Sequence, residues 1–197
     1  MIGRQASARV RAVNAGGGGM LVLVAGPSGA GKDTLLEGAR QALAGDPRLR
    51  FVRRVITRPA EAGGEDHEAV SETEYAARDF ALQWDAHGLR YGIPADIADD
   101  LALGVTVVAS VSRGVIAAAA RRFPVRVIDV TAPSVLLAER LRARGREDAA
   151  GVAERLGRSL ALPAGVAVTT VMNDGSIGEG VDRFLRALVL VRGGPQG

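Results

Sequence analysis

The chain has 197 residues, of which 47% are hydrophobic, and it contains no cysteine. This length fits one domain that buries its own core, and the lack of cysteine excludes disulfides and thiolate metal sites. The net charge is only +3, the arginines are spread along the chain and aromatic residues make up 4%, so we expect no nucleic-acid-binding surface.

The two ends of the chain differ in composition from the part between them. Residues 1–19 are basic, end in four glycines and lack the apolar centre of a secretion signal, so we predict a disordered leader. Residues 20–192 form the predicted single domain, and residues 193–197 form a flexible tail. Because no apolar run approaches the roughly 18 residues of a membrane span, we expect a cytoplasmic protein that does not contact a membrane.

Short β-branched runs alternate with longer helical stretches along the domain. The predicted strands are 20–25, 51–57, 104–111, 125–131 and 165–172. The predicted helices are 32–44, 94–103, 113–122, 133–143, 149–160 and 178–190. Another short helix is predicted after Ser71, because Ser71 and Glu74 have the spacing of a capping box. This alternation predicts the α/β class, with a parallel sheet flanked by helices.

The first predicted strand leads into the sequence GPSGAGKDT, residues 26–34. Its Gly-x-x-x-x-Gly-Lys pattern, between a buried strand and a helix, is typical of the phosphate-binding loop of P-loop NTPases. Its glycines let backbone N–H groups converge on phosphate oxygens at the start of the helix. Lys32, the single lysine in the chain, would bridge the β- and γ-phosphates of a nucleotide.

Asp33 departs from this motif, because Ser or Thr normally follows the lysine and ligates magnesium. One hypothesis is that Asp33 binds the metal itself, since a carboxylate is a hard oxygen ligand. The predicted strand 104–111 carries Ser110 near its end, where a second magnesium ligand is usually an Asp. The alternative is that Asp33 caps the helix N-terminus and Thr34 holds the metal. The sequence leaves both open.

Further segments resemble the guanylate kinase family: VITRP at 55–59, GEDHEAVS at 64–71, HGLRYGIP at 87–94 and RGRE at 144–147. The likeness spans about 20–190 and implies an acceptor-binding excursion at about 58–93 and a lid at about 142–156. The positions that read guanine do not match. Ile93 stands where guanylate kinases have a base-binding Ser or Thr, and the base-binding acid would be Asp85, which is one methylene shorter.

With GPSGAGKDTLL and VTAP at 130–133, these segments more closely resemble the ribose 1,5-bisphosphate phosphokinases of bacterial phosphonate breakdown, in which Asp follows the loop lysine. The resemblance implies phosphoryl transfer from ATP, with Mg²⁺, to ribose 1,5-bisphosphate, giving 5-phosphoribosyl 1-diphosphate (PRPP) and ADP. Guanylate kinase activity remains an alternative. A lesser alternative is an inactive module that binds phosphopeptides, although such modules usually lose the loop lysine or its glycines.

The resemblance also implies roles for individual residues. The expected catalytic residues are Lys32, Arg144, Arg146 and Arg155. The expected ATP-binding residues are Gly26, Pro27, Ser28, Gly29, Ala30, Gly31, Lys32, Asp33, Thr34 and Asn173, and the metal ligands are Asp33 and Thr34. The expected acceptor-binding residues are Arg54, Arg58, His67, Tyr91, Ser110 and Arg113. Tyr91 is also explained by packing, and Glu65 and Asp66 either solvate their loop or bind sugar hydroxyls. The partners are then small-molecule substrates, and a homodimer is left open.

Overall fold

The computed structural model describes residues 18–60, 65–143 and 161–193. In chain order, the elements are β1 (Leu21–Ala25), α1 (Lys32–Ala42), β2 (Leu49–Phe51), β3 (Arg54–Ile56), β4 (His67–Ala69), α2 (Glu72–Ala76), β5 (Phe80–Ala86), β6 (Leu89–Pro94), α3 (Ile97–Ala102), β7 (Thr106–Ser110), a 3₁₀ turn (Arg113–Val115), α4 (Ile116–Ala120), β8 (Val125–Thr131), α5 (Ser134–Ala143), β9 (Ala167–Met172) and α6 (Ile177–Gly193).

The central sheet has five strands in the order β2-β7-β1-β8-β9, and every neighbouring pair is parallel. Parallel strands need crossover connections, and the helices between these strands supply them. The predicted α/β fold with a parallel sheet flanked by helices is therefore confirmed. Its central strand, β1, is buried along its whole length, which is typical of a sheet covered on both faces.

Alternate residues of β1 enter two different apolar cores. Leu21, Leu23 and Ala25 join a core with residues of α3, α4 and the β5–β6 segment. Val22 and Val24 face the opposite way and pack with residues of α1, α5 and α6. This division follows from the two-residue period of a strand. It fixes the end of β1, and therefore the start of the loop that follows it, from both sides.

A second sheet of four strands has the order β4-β3-β6-β5. The single strand predicted at 51–57 is wrong, because Leu49–Phe51 joins the central sheet and Arg54–Ile56 joins the second sheet. Successive residues of a strand point to opposite faces. A continuous strand would therefore place either Arg53 or Arg54 on a face covered by apolar side chains, and the chain changes sheets at this point instead.

The β5–β6 hairpin was not predicted. It turns at His87 and Gly88, which have φ values of 55° and 70°, as the two central residues of a type I′ turn require. Pro94 ends β6 rather than opening a helix, so the helix predicted at 94–103 begins only at Ile97.

Two other helix predictions have different outcomes. The capping box is confirmed: the Glu74 N–H donates to Ser71 Oγ at 3.2 Å, and the Ser71 N–H donates to Glu74 Oε2 at 2.8 Å. The helix predicted at 113–122 begins as a 3₁₀ turn before α4. The helix predicted at 149–160 lies outside the described residues.

Among the described residues, no helix has the length and apolar character of a membrane span.

Candidate active site

The loop between β1 and α1 has a backbone that depends on glycine. Gly26 has a φ of 145°, and a Cβ placed there would lie 2.0 Å from the Val130 carbonyl oxygen of β8. Gly31 has a φ of 86°, and its Cβ would lie 2.5 Å from Asn173 Nδ2. Side chains at these positions would collide with neighbouring atoms, so glycine is required for the loop to pack against the sheet.

Lys32, the first residue of α1, folds back over this loop. Its Nζ donates to the Gly26 carbonyl at 2.8 Å and to the Pro27 carbonyl at 3.0 Å. Burial lowers the pKa of Lys32 from 10.5 to about 8; Asp33 and Glu65 oppose that shift, and Arg54 and Arg113 add to it. A compact ammonium therefore lies among other charged groups at the mouth of the loop.

Asp33 lies in the first turn of α1, where a negative charge is favourable. The cap position is Gly31, which has no side chain to bond the helix end. The Asp33 carboxylate is 46% exposed and lies 3.5 Å from Arg54 Nη2. The side chain therefore lies beside the phosphate loop with its carboxylate partly open to solvent.

Asn173 lies behind the loop and supports it. Its side chain is buried, its Nδ2 donates to the Ala30 carbonyl at 2.8 Å, and its backbone N–H donates to the Thr131 carbonyl at 2.7 Å. These bonds join the end of β9 to the loop and to β8. The predicted contact of Asn173 with ATP stays a prediction, and its amide nitrogen already bonds the loop backbone.

Across from the loop, a cluster of charged residues lies on the second sheet. Glu65 Oε2 accepts a hydrogen bond from Arg54 Nε at 2.6 Å and a second one from Arg54 Nη2. Glu65 Oε1 lies 3.7 Å from Arg58 Nη2. Arg58 Nη2 also lies 3.3 Å from His67 Nδ1, and His67 Nε2 lies 3.1 Å from the Arg58 carbonyl. His67 is 6% exposed. Its two ring nitrogens contact the side chain and the backbone of Arg58, and these contacts position the arginine.

A second ion pair lies at the C-terminal edge of the central sheet. Arg113, which follows β7, donates through Nη2 to both carboxylate oxygens of Asp129 at 2.7 and 2.9 Å. Asp129 lies in β8 beside Ala25, the residue before the phosphate loop. Asp129 was not among the residues predicted from the sequence. The signal was an acid inside an apolar strand, which is rarely buried without a partner.

A cavity of about 710 Å³ lies between the start of α1 and the Arg54–Glu65 pair. Asp33 and Thr34 of α1 line one wall, Arg54 and Glu65 line another, and Ser110 lies at the end of β7. Ser110 Oγ is buried and has no hydrogen-bond partner among the described residues. Such a hydroxyl is costly to leave unpaired, so a ligand in the cavity is a natural partner for it.

Other predicted residues lie at the edge of this arrangement or outside it. Tyr91 is 8% exposed, stacks on Trp84 with ring centroids 5.4 Å apart, and has the Arg54 guanidinium 5.8 Å from its ring centroid. Packing therefore accounts for most of its surface. The predicted lid residues Arg144, Arg146 and Arg155 lie outside the described residues.

Comparison with known proteins places this geometry in a family. No protein-family model matches the chain. A protein of Acidiphilium cryptum named ribose 1,5-bisphosphate phosphokinase PhnN is 56% identical over 143 residues, which is 73% of this chain and 78% of that protein. The chain belongs to the ribose 1,5-bisphosphate phosphokinase family. A phosphokinase of the same name from Brucella melitensis is 44% identical over 86% of this chain and 92% of that protein.

Some relatives of this phosphokinase family are longer. A protein of Azorhizobium caulinodans named bifunctional ribose 1,5-bisphosphokinase-thymidine phosphorylase is 48% identical over 88% of this chain, but the match covers 26% of that protein. The chain thus spans only a small part of such bifunctional relatives. Among solved structures, a guanylate kinase from Anaplasma phagocytophilum has a TM-score of 0.60 at 20% identity, covering 90% of this chain and 88% of that one. That likeness concerns the fold alone.

Proposed function

We propose that this protein transfers the γ-phosphoryl group of ATP to the 1-phosphate of ribose 1,5-bisphosphate, giving 5-phosphoribosyl 1-diphosphate and ADP. The observation that carries the proposal is a phosphate loop whose following residues, Asp33 and Thr34, line a cavity together with Arg54 and its partner Glu65. Relatives that this chain matches over most of their length are named for the same reaction. Phosphonate breakdown would be its setting, as the resemblance implies.

The chemistry needs no general base. The attacking atom is an oxygen of the 1-phosphate, which is ionised at neutral pH because the second pKa of a phosphate monoester is about 6. That oxygen forms a bond to the γ-phosphorus as the bond from phosphorus to the β,γ-bridging oxygen breaks, and ADP carries away the electron pair. No proton has to move. The protein therefore works by positioning and by neutralising charge.

The described residues divide these tasks between the two walls. The loop N–H groups and the Lys32 ammonium would bind the β- and γ-phosphates of ATP. Arg58 would bind an acceptor phosphate, because guanidinium groups pair well with phosphate oxygens. Arg113, whose positive charge helps to lower the pKa of Lys32, would stabilise negative charge near the transferring phosphoryl group. Arg144, Arg146 and Arg155 are proposed to add cations from the lid.

Magnesium fits the oxygen donors at the loop. Asp33 and Thr34 offer a carboxylate and a hydroxyl at the cavity wall, and the buried Ser110 hydroxyl is available to a bound water. Among the described residues, no three His, Asp or Glu side chains form a metal site by themselves. This matches a metal that is held by one carboxylate together with substrate phosphates. When bound, magnesium would offset the negative charge of the ATP phosphates.

Within the described residues, neither position that would read guanine in a guanylate kinase suits that task. Asp85, the candidate base-binding acid, has a side chain that is 84% exposed and lies 3.8 Å from Arg90. Ile93 is fully buried and carries no hydrogen-bonding group. A site that reads guanine needs polar partners for the base, and losing them costs about 10⁴-fold or more in discrimination.

The test is ADP release by the purified protein with ATP and magnesium. Ribose 1,5-bisphosphate and guanosine monophosphate are compared at equal concentration, with Lys32→Ala protein from the same purification as the control for contaminating kinases. We expect at least about a hundredfold preference for the sugar bisphosphate, with 5-phosphoribosyl 1-diphosphate appearing in step with ADP. Preference for the nucleotide would overturn the proposal. Activity on neither acceptor would favour the binding-module alternative.

A further inference from the structure

The Glu65 carboxylate lies between the guanidinium groups of Arg54 and Arg58. It bonds Arg54 through Nε and Nη2 and approaches Arg58 Nη2 at 3.7 Å. The side chains of Glu65, Arg54 and Arg58 are 13%, 13% and 16% exposed. Glu65 is therefore not a solvated loop acid, and its charge is directed at the groups that would receive an anion.

The two arginines are held unequally. Arg54 has two nitrogens on Glu65 and lies 3.5 Å from Asp33. Arg58 has the longer contact with Glu65 and a 3.3 Å contact from Nη2 to His67 Nδ1, and its Nε is buried without a hydrogen-bond partner among the described residues. An unpaired buried guanidinium N–H is unfavourable. Arg58 therefore has donor capacity for an anion, whereas Arg54 is already occupied.

We propose that Glu65 is a specificity-determining residue, an internal anion that a phosphate monoester dianion must displace from Arg58 while Arg54 stays paired. A ligand with a single negative charge gains little by replacing a carboxylate, whereas a phosphate dianion brings more charge and more acceptor atoms. The identity of the full acceptor rests on the proposed function, but the competition between Glu65 and an anion does not.

The experiment uses inorganic phosphate as the probe, by titration calorimetry with the full chain at about pH 8, where phosphate is mainly a dianion. We expect Glu65→Gln to bind phosphate about tenfold more tightly than the unaltered protein, because the internal competitor is gone. The matched control is Glu68→Gln. Glu68 lies in β4 and pairs with Arg78 at 2.5 Å on the exposed surface, so phosphate affinity should not change.

Phosphate can also bind the loop at Lys32. A double-mutant cycle is therefore needed to assign the tighter binding of phosphate to Arg58. The tighter binding should disappear when Arg58→Gln is combined with Glu65→Gln. If the Gln variant does not fold, Glu65→Asp keeps the charge, shortens its reach and should show a smaller gain in affinity.

Two results would overturn the inference: phosphate affinity that is the same or weaker in Glu65→Gln, and a gain that persists without Arg58. Turnover separates this inference from the proposed function. An unaltered protein that fails to phosphorylate ribose 1,5-bisphosphate would defeat the function and leave the phosphate titrations valid. Normal turnover with no gain in phosphate affinity would defeat the role of Glu65 alone.

Discussion

The two sides of the cavity differ in how they would bind anions. On the α1 side, the site is mostly backbone, with glycines that fix the loop and a single ammonium that bonds two of the loop carbonyls. On the side of the second sheet, the site is made of side chains in which one carboxylate, Glu65, partly offsets the charges of two guanidinium groups. A backbone site is rigid and always ready, whereas a side-chain site is selective, because a ligand must compete for it.

The largest expected effect is on the backbone side. Lys32→Ala should reduce turnover by at least about a thousandfold, because the charge that develops on the transferring phosphoryl group loses its ammonium. The free energy of unfolding should change by less than about 1 kcal/mol, since the substitution also removes an ammonium that is unfavourably buried. Steady-state kinetics and thermal unfolding measure the two effects. Turnover close to that of the unaltered protein would refute the assignment of the loop.

Substitutions on the side of the second sheet should change the binding of the acceptor and leave the binding of ATP unchanged. Arg58→Gln should raise KM for ribose 1,5-bisphosphate by about a hundredfold and leave KM for ATP within about twofold, because a guanidinium–phosphate pair is worth roughly 2–3 kcal/mol. Arg78→Gln is the matched control, since Arg78 is an exposed arginine paired with Glu68. A comparable rise in KM for ATP would show that the two walls are not separate.

The pH dependence should report the state of Lys32. Its pKa is lowered to about 8, so the ammonium is present below that pH and is lost as the pH rises through it. We expect kcat/KM for ATP to fall about tenfold per pH unit above the pKa, because this ratio follows ionisation of the free enzyme. Lys32→Arg stays charged, so the residual kcat/KM of this variant should not fall in that pH range. An unchanged limb in this variant would assign the titration to another group.

The smallest expected effect separates the two hypotheses for Asp33. If Asp33 ligates magnesium, Asp33→Ser should keep ATP binding and raise the magnesium concentration for half-maximal rate by about three- to tenfold. A variant that instead loses stability with unchanged magnesium dependence would favour a role at the helix N-terminus. Magnesium titrations of the rate, alongside thermal unfolding, distinguish the outcomes, and Glu37→Gln in the same helix is the control.

The fold could be predicted where a strand is one continuous apolar run. Four strands of the central sheet, β1, β7, β8 and β9, appear in the sequence as such runs, and their interpretation as parallel strands was correct. The segment at 51–57 was misread, because a change of sheet between Phe51 and Arg54 leaves hardly any mark on the apolar pattern. The β5–β6 hairpin did leave a mark: the pair His87 and Gly88 suits a two-residue turn.

The candidate site was predictable only where it is local in sequence. The phosphate loop is one continuous motif, so its residues could be named together. Ion pairs such as Arg113 with Asp129 and Arg54 with Glu65 join residues 16 and 11 positions apart, and their pairing depends on how strands pack. Sequence reasoning therefore proposed the arginines but could not say which acid holds each of them.

The burial of Ile93 has a consequence for how acceptor specificity changes during evolution. Ile93 is fully buried in the apolar core that joins β1 and α3 to the β5–β6 hairpin. A serine there, as in a base-reading site, would leave a hole and an unpaired hydroxyl, at a cost of about 3–5 kcal/mol. That is a large share of the roughly 5–15 kcal/mol by which native domains are stable. A change from Ile93 to a base-reading serine would therefore cost stability as well as change the chemistry of binding.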